Sequence, residues 1–577
     1  MALGKGGFPR TCFAESSLSM AALGKAVAEC YRLHRPRLCF LCHNKIKMSS
    51  VRFDDDEKPI TATSNEEKQS GGFTDVGKAS VKAEYLQAAP LEKGTVVQVL
   101  LDVSASSTTV GRAALDLVVV LDVSGSMGDD GKLDRLKNAM KFVIQKLSPM
   151  DRLSIVTFNN TATKQSGLLA MSDTGKDTQA RTINNLVHGG GTNIKAGLET
   201  GLKIIASRQF SVGRTGNIIV MSDGQQNDGD AREVTVPSSV PVYTLSFGKG
   251  TDHDLMRAIT KNNGTFNAIP DNGDVTAVFS QLLAGLLTVV VRGLHLILSK
   301  PRTIDNELDS IIKVEPGDYK VEPKDGPYST TVTVILDELF SAEVRKVIVD
   351  LSLAEGQVPD EYLADILEIG VSYPDSNDVR QPFRGQVLQV TRRDGAPTSP
   401  LPRPLQLELA RRQHADSISK ARSLADADNL DGAREKLMEA QNALEDIVDQ
   451  ANPMVGMLKK ELGHLMDFME SKELYQAEGR PYALASESSH ASQRFTARGD
   501  VEGVRLFATP RMDTYLEQAK EYTKDPTKPL PTAAEDTKQE VKANPTAAIA
   551  APIAFYIQSA IQALQAIEKI ITATAKA

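Results

Sequence analysis

Leu115-Asp116-Leu117-Val118-Val119-Val120-Leu121-Asp122-Val123-Ser124-Gly125-Ser126 decides how this chain is read. The unbroken apolar run Leu117–Leu121 fits a strand covered on both faces, where neither set of alternating side chains meets water. It runs directly into a polar turn that carries Asp122, Ser124 and Ser126 at every second position. Extended backbone sends alternate side chains the same way, so these three can converge on one point. Gly125 and Gly128 let the backbone bend closely around that point.

Downstream, Leu133, Leu136, Met140, Val143 and Leu147 recur at helical spacing. Further strands are expected at Leu153–Phe158, Asn217–Met221 and Val242–Phe247, with helices near 178–187, 193–207, 253–262 and 274–287. This alternation predicts a Rossmann-like α/β domain over 115–288, with a mostly parallel sheet between helices. Ligands of such sheets bind beyond the carboxyl ends of the strands. The strand ending at Met221 brings Asp223-Gly224 to the same edge as Asp122, and Gly189-Gly190-Gly191-Thr192-Asn193 opens a helix that places the Thr192 hydroxyl nearby. Two carboxylates and three hydroxyls offer oxygen alone, which suits a hard cation, Mg²⁺ or else Mn²⁺ or Ca²⁺, and disfavours Zn²⁺.

Each piece has a plainer reading. DxSxS can be a turn whose side chains bond their own backbone. Gly189–Gly191 can be an anion-binding loop, although it lacks the GxxxxGK[ST] spacing of a P-loop. Asp223-Gly224 can be a simple turn. Their order, each after a strand or before a helix, favours a metal site.

That order, DxSxS, then GGT, then SDG, resembles the metal-ion-dependent adhesion site of von Willebrand factor A (vWA) domains, with Asp122, Ser124, Ser126, Thr192 and Asp223 all in place. The resemblance implies that the serines and the threonine bind the metal directly while the aspartates often act through water. It also implies a vacant coordination position that accepts an Asp or Glu of a partner protein. Over 81–520 the chain resembles plant vWA proteins with a vWA-associated C-terminal module. Gly479-Arg480-Pro481-Tyr482-Ala483, Ser488-Ser489-His490, Arg494-Phe495-Thr496-Ala497-Arg498-Gly499-Asp500 and Thr509-Pro510-Arg511-Met512 carry that likeness. The Trp usual after the Ser-His pair is replaced by Ala491-Ser492. The Wavy-growth group of these proteins places a RING finger first, which needs eight Cys/His ligands in paired spacing. Only Cys12, Cys30, Cys39 and Cys42 with His34 and His43 stand ahead of the vWA domain here, so ligase activity is not carried over.

The rest of the chain predicts a multidomain protein. Residues 1–80 read as a disordered extension, and 81–114 as strands pairing with a later β-sandwich, followed by a linker. The sandwich itself is expected over 289–396, with strands at Leu294–Leu298, Thr330–Leu336, Arg345–Leu351, Leu367–Ser372 and Gly385–Val390. A helical module is expected over 405–523, broken at Asp428-Asn429, then a linker at 524–545 and an amphipathic helix at 546–577 packing on another helix. The uncharged stretch 543–567 is not read as a membrane span, because Gln558, Gln562 and Gln565 form a polar stripe. The helical tail offers a route to self-association, although a hairpin packed on its own sandwich is the simpler reading.

Composition narrows the function further. The 577 residues are 41% hydrophobic and 24% charged, with a net charge of −8 and both signs interspersed. No basic stripe is present, which argues against nucleic acid as a partner. All four cysteines fall in the first 42 residues, and a large cysteine-free body fits a reducing compartment, most simply the cytoplasm. Residues 1–47 keep three readings: a disordered extension ahead of Met48, a basic transit peptide, or a zinc site from Cys30, Cys39, Cys42 and His43.

The expected function is therefore non-enzymatic, cation-dependent protein binding. The alternatives are a substrate-recruiting part of a ubiquitination pathway and a metal-dependent hydrolase. The hydrolase needs an oriented general base, for which Asp173 and Asp228 are candidates nearby in sequence only, while His188 reads as a loop residue.

Overall fold

Strands β1 (Ala79–Tyr85), β2 (Ala88–Ala89) and β3 (Val96–Ala105) come first. The α/β unit follows with β4 (Ala114–Asp122), α1 (Lys132–Lys146), β5 (Arg152–Phe158), β6 (Ala162–Lys164), β7 (Leu169–Ala170), α2 (Asp173–Asn184) and α3 (Ile194–Ala206). It is completed by β8 (Arg214–Ser222), β9 (Val242–Phe247), α4 (His253–Ile259), β10 (Phe266–Ile269) and α5 (Val275–Leu286). This computed structural model describes residues 56–60 and 78–546, apart from 263, 324–330, 357–360, 381–384, 396–399 and 448, together with single positions between 553 and 571. The three readings of residues 1–47 lie outside the described residues.

The sheet order is β10-β9-β8-β4-β5-β6, parallel throughout except for β6 and the short β7, which run antiparallel to β5. The apolar run of β4 takes the interior position it requires. Leu117, Val119 and Leu121 join a core with α1 and α5, while Val118 and Val120 join a second core on the other face with α3 and α4. Each such fully buried Val or Leu is worth roughly 1.5–3 kcal/mol of transfer free energy before ordering entropy is subtracted.

The later strands are β11 (Val289–Ser299), β12 (Leu308–Glu315), β13 (Lys320–Pro323), β14 (Thr331–Phe340), β15 (Val344–Leu353), β16 (Tyr362–Ser372) and β17 (Gln386–Arg392). They form two sheets, β1-β3-β15-β12 and β13-β14-β11-β16-β17-β2, around one core, with all pairs antiparallel except β17 and β2. The α/β unit is thus inserted between β3 of one sheet and β11 of the other.

Helices α6 (Arg403–Asp426), α7 (Leu430–Glu445), α8 (Pro453–Phe468), α9 (Arg480–Ser492), α10 (Pro510–Lys524) and α11 (Ala533–Ala543) complete the described chain. The hairpin breaks at the expected place: Asp428 takes a left-handed φ of 65° and the Asn429 side chain caps α7 by accepting from Gly432 N. Leu405 packs on Leu100 and Ile348, seating α6 on the sandwich. Farther on, Thr496–Gly499 lies along the outer edge of β10. Ala268 N donates to Ala497 O and Gly499 N donates to Ala268 O, both at 3.0 Å, so the tail covers an edge that would otherwise be open to pairing with another chain.

Three expectations need correction. The stretch 524–545 is not all linker. Helix α11 forms there because Thr532 and Glu535 make a capping box, Ala533 enters the core, and Asp536 pairs with the buried Lys146 at 2.6 Å. Nor is the whole of 1–80 free of structure. Asp56 pairs with Arg152, Glu57 N donates to Leu168 O at 3.1 Å, and β1 begins at Ala79. At its described positions the final helix does not pack as expected, since Ile553, Ile557, Ile561, Leu564, Ile567 and Ile571 are exposed. Among the described residues no helix is long and apolar enough to cross a membrane.

Candidate functional site

The carboxyl ends of β4 and β8 lie side by side, and three loops meet above them. Asp122 ends β4 and is fully buried. Its Oδ1 accepts from Ser124 N at 2.7 Å and its Oδ2 from the Ser222 hydroxyl at 2.6 Å. Burial with no cation in contact pushes the Asp122 carboxyl up to about 6, against the pull of these hydrogen bonds. Ser124 and Ser126 hydroxyls stand 3.1 Å apart, and Ser126 Oγ donates to Asp223 Oδ1 at 2.8 Å. The other Asp223 oxygen accepts from Lys132 Nζ at 2.9 Å.

The glycine-rich loop is stitched to the first loop by backbone. Gly189 N donates to Val123 O at 2.8 Å and Gly125 N donates to Gly190 O at 3.0 Å. Gly189 and Gly190 have φ values of 152° and 86°, conformations that side chains resist. Asn159 Nδ2 donates to Gly189 O, and Asn227 Oδ1 accepts from Thr192 N, so two asparagines fix the loop from either side. A methyl group at Gly224 would lie 3.4 Å from both Ser126 Oγ and Thr192 Oγ1, so these two hydroxyls approach the same point beside Gly224. Ser124, Ser126, Thr192 and Asp223 line one cavity of about 530 Å³, with Asp122 buried beneath it.

All five expected residues are therefore brought together. The hydrolase candidates are not. Asp173 lines a separate cavity beside α1 and α2, and Asp228 accepts from Asn193 Nδ2 at 2.9 Å. His188 packs against Gly128. Sequence reasoning missed Ser222 and Lys132. Ser222 opens the SDG motif, but its partner Asp122 sits on a different strand and the motif alone does not show that contact. Lys132 carried a signal: a lysine on the first residue of a helix opposes the helix dipole.

A second cluster groups His414, Glu461 and His490, all buried, with ligating atoms within 4.8 Å of one another. Both imidazoles donate from Nε2 to Glu461 Oε2, at 2.8 and 2.9 Å. Arg411 Nη1 lies 3.1 Å from His490 Nδ1, and because Arg can only donate, the His490 proton must sit on Nε2. That nitrogen then has no lone pair for a metal. Arg498, 3.1 Å from Glu461 Oε1, already supplies positive charge. The cluster is a polar clasp that joins α6, α8 and α9, with His414 Nδ1 buried and without a hydrogen-bond partner among the described residues.

Residues 116–281 match the family model described as von Willebrand factor type A domain, and 452–521 match a second described as VWA / Hh protein intein-like. The α/β unit is a vWA domain. In sequence the chain is 30% identical over 194 residues to the uncharacterized protein sll0103 of Synechocystis sp., covering 32% of this chain and 45% of that protein. It is 28% identical over 186 residues to the E3 ubiquitin-protein ligase WAV3 of Arabidopsis thaliana, covering 32% of this chain and 24% of WAV3. Inter-alpha-trypsin inhibitor heavy chain H1 of Bos taurus is 24% identical over 204 residues, 33% of this chain and 22% of its own length. The chain thus covers less than half the length of each of these relatives. A solved structure, von Willebrand factor type A from Catenulispora acidiphila, superposes with a TM-score of 0.56 at 16% identity, over 74% of this chain and 98% of that one. This likeness extends the shared fold well beyond the vWA domain.

Proposed function

We propose that this vWA domain binds a divalent cation, Mg²⁺ or else Mn²⁺ or Ca²⁺, and through it an Asp or Glu side chain of a partner protein, without catalysing a reaction. Ser124, Ser126 and Thr192 would hold the ion directly, and Asp122 and Asp223 would act through water. The observation that carries this reading is the shared cavity, into which three separate loops deliver the hydroxyls of Ser124, Ser126 and Thr192 and the carboxylate of Asp223. The donor set fits the ion, since every donor is oxygen and the only two carboxylates among these five residues lie on adjacent strand ends. Neutral direct ligands leave the cation strongly electrophilic toward an outside carboxylate.

Both oxygens of Asp122 are committed to Ser124 N and Ser222 Oγ, which suits an orienting role better than that of a base. The matched relatives include an E3 ubiquitin-protein ligase and an inter-alpha-trypsin inhibitor heavy chain, each matching about a third of this chain, a stretch about the length of the vWA domain. Partner binding through that region is therefore the reading favoured over a pathway taken from either relative. Recruitment of a ubiquitination substrate is the second reading, motivated by the WAV3 match alone.

The test is affinity capture from cell extract with and without EDTA, comparing wild type with Asp122→Ala plus Ser124→Ala. Chelator-sensitive partners should vanish with the double variant while circular dichroism stays unchanged. An identical partner set from both proteins would overturn the proposal.

A further inference from the structure

Lys132 stands where a lysine is least expected. It is the first residue of α1, at the positive end of the helix dipole. The two residues before it, Asp130 and Gly131, are both left-handed, with φ of 50° and 66°, and for Asp130 that conformation is unfavourable. The chain accepts both penalties, and the result is that Lys132 Nζ meets Asp223 Oδ2 at 2.9 Å. Side-chain exposure is 10% for the lysine and zero for the aspartate, so the pair is shielded from water. Lys132 also lines the same cavity as the site hydroxyls.

We propose that Lys132 is a resident counter-cation of the metal site: its ammonium neutralises Asp223, so that a bound divalent ion faces one uncompensated carboxylate and selects a singly charged carboxylate ligand. This rests on the cation reading above. The charges of ion and lysine, set against Asp122 and Asp223, leave one positive charge in excess, and one Asp or Glu side chain cancels it. With a neutral residue at 132, ion and aspartates would already balance. The ion would then be held more tightly and the incoming acid attracted less. Asp129, Asp130, Asp271 and Lys249 line the cavity too; Asp271 is half-buried and the others are exposed, so solvent and salt screen them more than the buried Lys132–Asp223 pair.

The test uses the full chain and two probes. Mn²⁺ affinity is measured by calorimetry, and acetate binding by the loss of water-proton relaxation as acetate displaces water from bound Mn²⁺. Lys132→Met should bind Mn²⁺ about fivefold to tenfold more tightly than wild type and require several-fold more acetate, while Lys132→Arg stays within about twofold on both. Lys132→Gln, which can still donate to Asp223, replaces the methionine variant if the latter fails to fold. A folded neutral variant whose Mn²⁺ affinity equals or falls below that of wild type overturns the role of Lys132. Absence of Mn²⁺ binding in both wild type and Lys132→Arg overturns the cation reading itself, and the role of Lys132 with it.

Discussion

Asp116 and Asp122 stand at opposite ends of β4, both fully buried, yet their surroundings are opposites. Asp116 is enclosed by its own cations. Arg152 donates to both its oxygens at 2.8 Å, Arg214 reaches Oδ1 at 2.6 Å and Arg208 reaches Oδ2 at 3.0 Å. These arginines hold its carboxyl below the ordinary range despite burial. Asp122 receives only an N–H and an O–H, and its carboxyl rises to about 6. One end of the strand has its charge cancelled by the fold. At the other, hydrogen bonds alone meet the carboxylate. Glu461 belongs with Asp116: two histidines and Arg498 hold its carboxyl well below the usual value. Burial does not separate Asp116 and Glu461 from Asp122; the cations that touch the first two and not the third do.

The largest expected effect breaks the closed end. Asp116→Ala would leave three arginines around a vacated, buried position and should cost about 3–5 kcal/mol, read by denaturant unfolding, with Mn²⁺ affinity of the folded protein unchanged. A cost below about 1 kcal/mol would undo the contrast with Asp122.

The second prediction sharpens the closed class through pH. Burial holds His490 down at about 4 in the fold, against an ordinary value near 6.5 when unfolded. The unfolded chain therefore takes the proton first. The contribution of His490 is complete above pH 6.5 and is lost as pH falls toward 4, by about 3 kcal/mol. Glu338, raised to about 7, pulls in the opposite sense, so the measurement is the difference between wild type and His490→Gln in unfolding free energy at pH 7 and pH 4.5. The gap between the two proteins should narrow on acidification.

The third concerns the open end. Mn²⁺ at a hundred times its dissociation constant should stabilise the protein by about 2.7 kcal/mol, visible as a rise in Tm. Ser126→Ala plus Thr192→Ala should abolish the rise, and His414→Gln should leave it intact. The smallest effect is expected for Gly224→Ala. Its methyl would touch both hydroxyls, weakening Mn²⁺ binding several-fold while stability shifts by under about 1 kcal/mol.

The contrast also explains what the sequence made legible. The β4 strand and the Asp122-Val123-Ser124-Gly125-Ser126 turn were readable because the signal is contiguous: an apolar run, then alternate oxygens. Thr192 and Asp223 were readable because each follows or precedes a regular element. The contacts of Ser222 with Asp122 and of Lys132 with Asp223 were not, because the partners lie far apart along the chain, and only the sheet brings them near. Asp116 resembles any strand-starting acid until Arg152, Arg208 and Arg214 close on it. Helix α11 was read as linker from its prolines and charges, whereas its stability comes from Lys146 and Asp536, which lie in distant parts of the chain. Strands β12 and β13 escaped because the exposed Lys313 and Lys320 and the half-buried Glu315 and Glu322 interrupt their apolar alternation.

Insertion of the vWA domain between β3 and β11 gives it two covalent attachments, one to each sheet of the sandwich. At the same junction Arg494, from the tail, donates to Tyr243 on β9 and to Glu338 O on β14, and stacks on Phe340. Tension applied by a ligand at the open end would thus divide between two polypeptide connections and enter both sheets at once. The domain is mounted as a bead on a closed loop, with no single tether about which it could swivel.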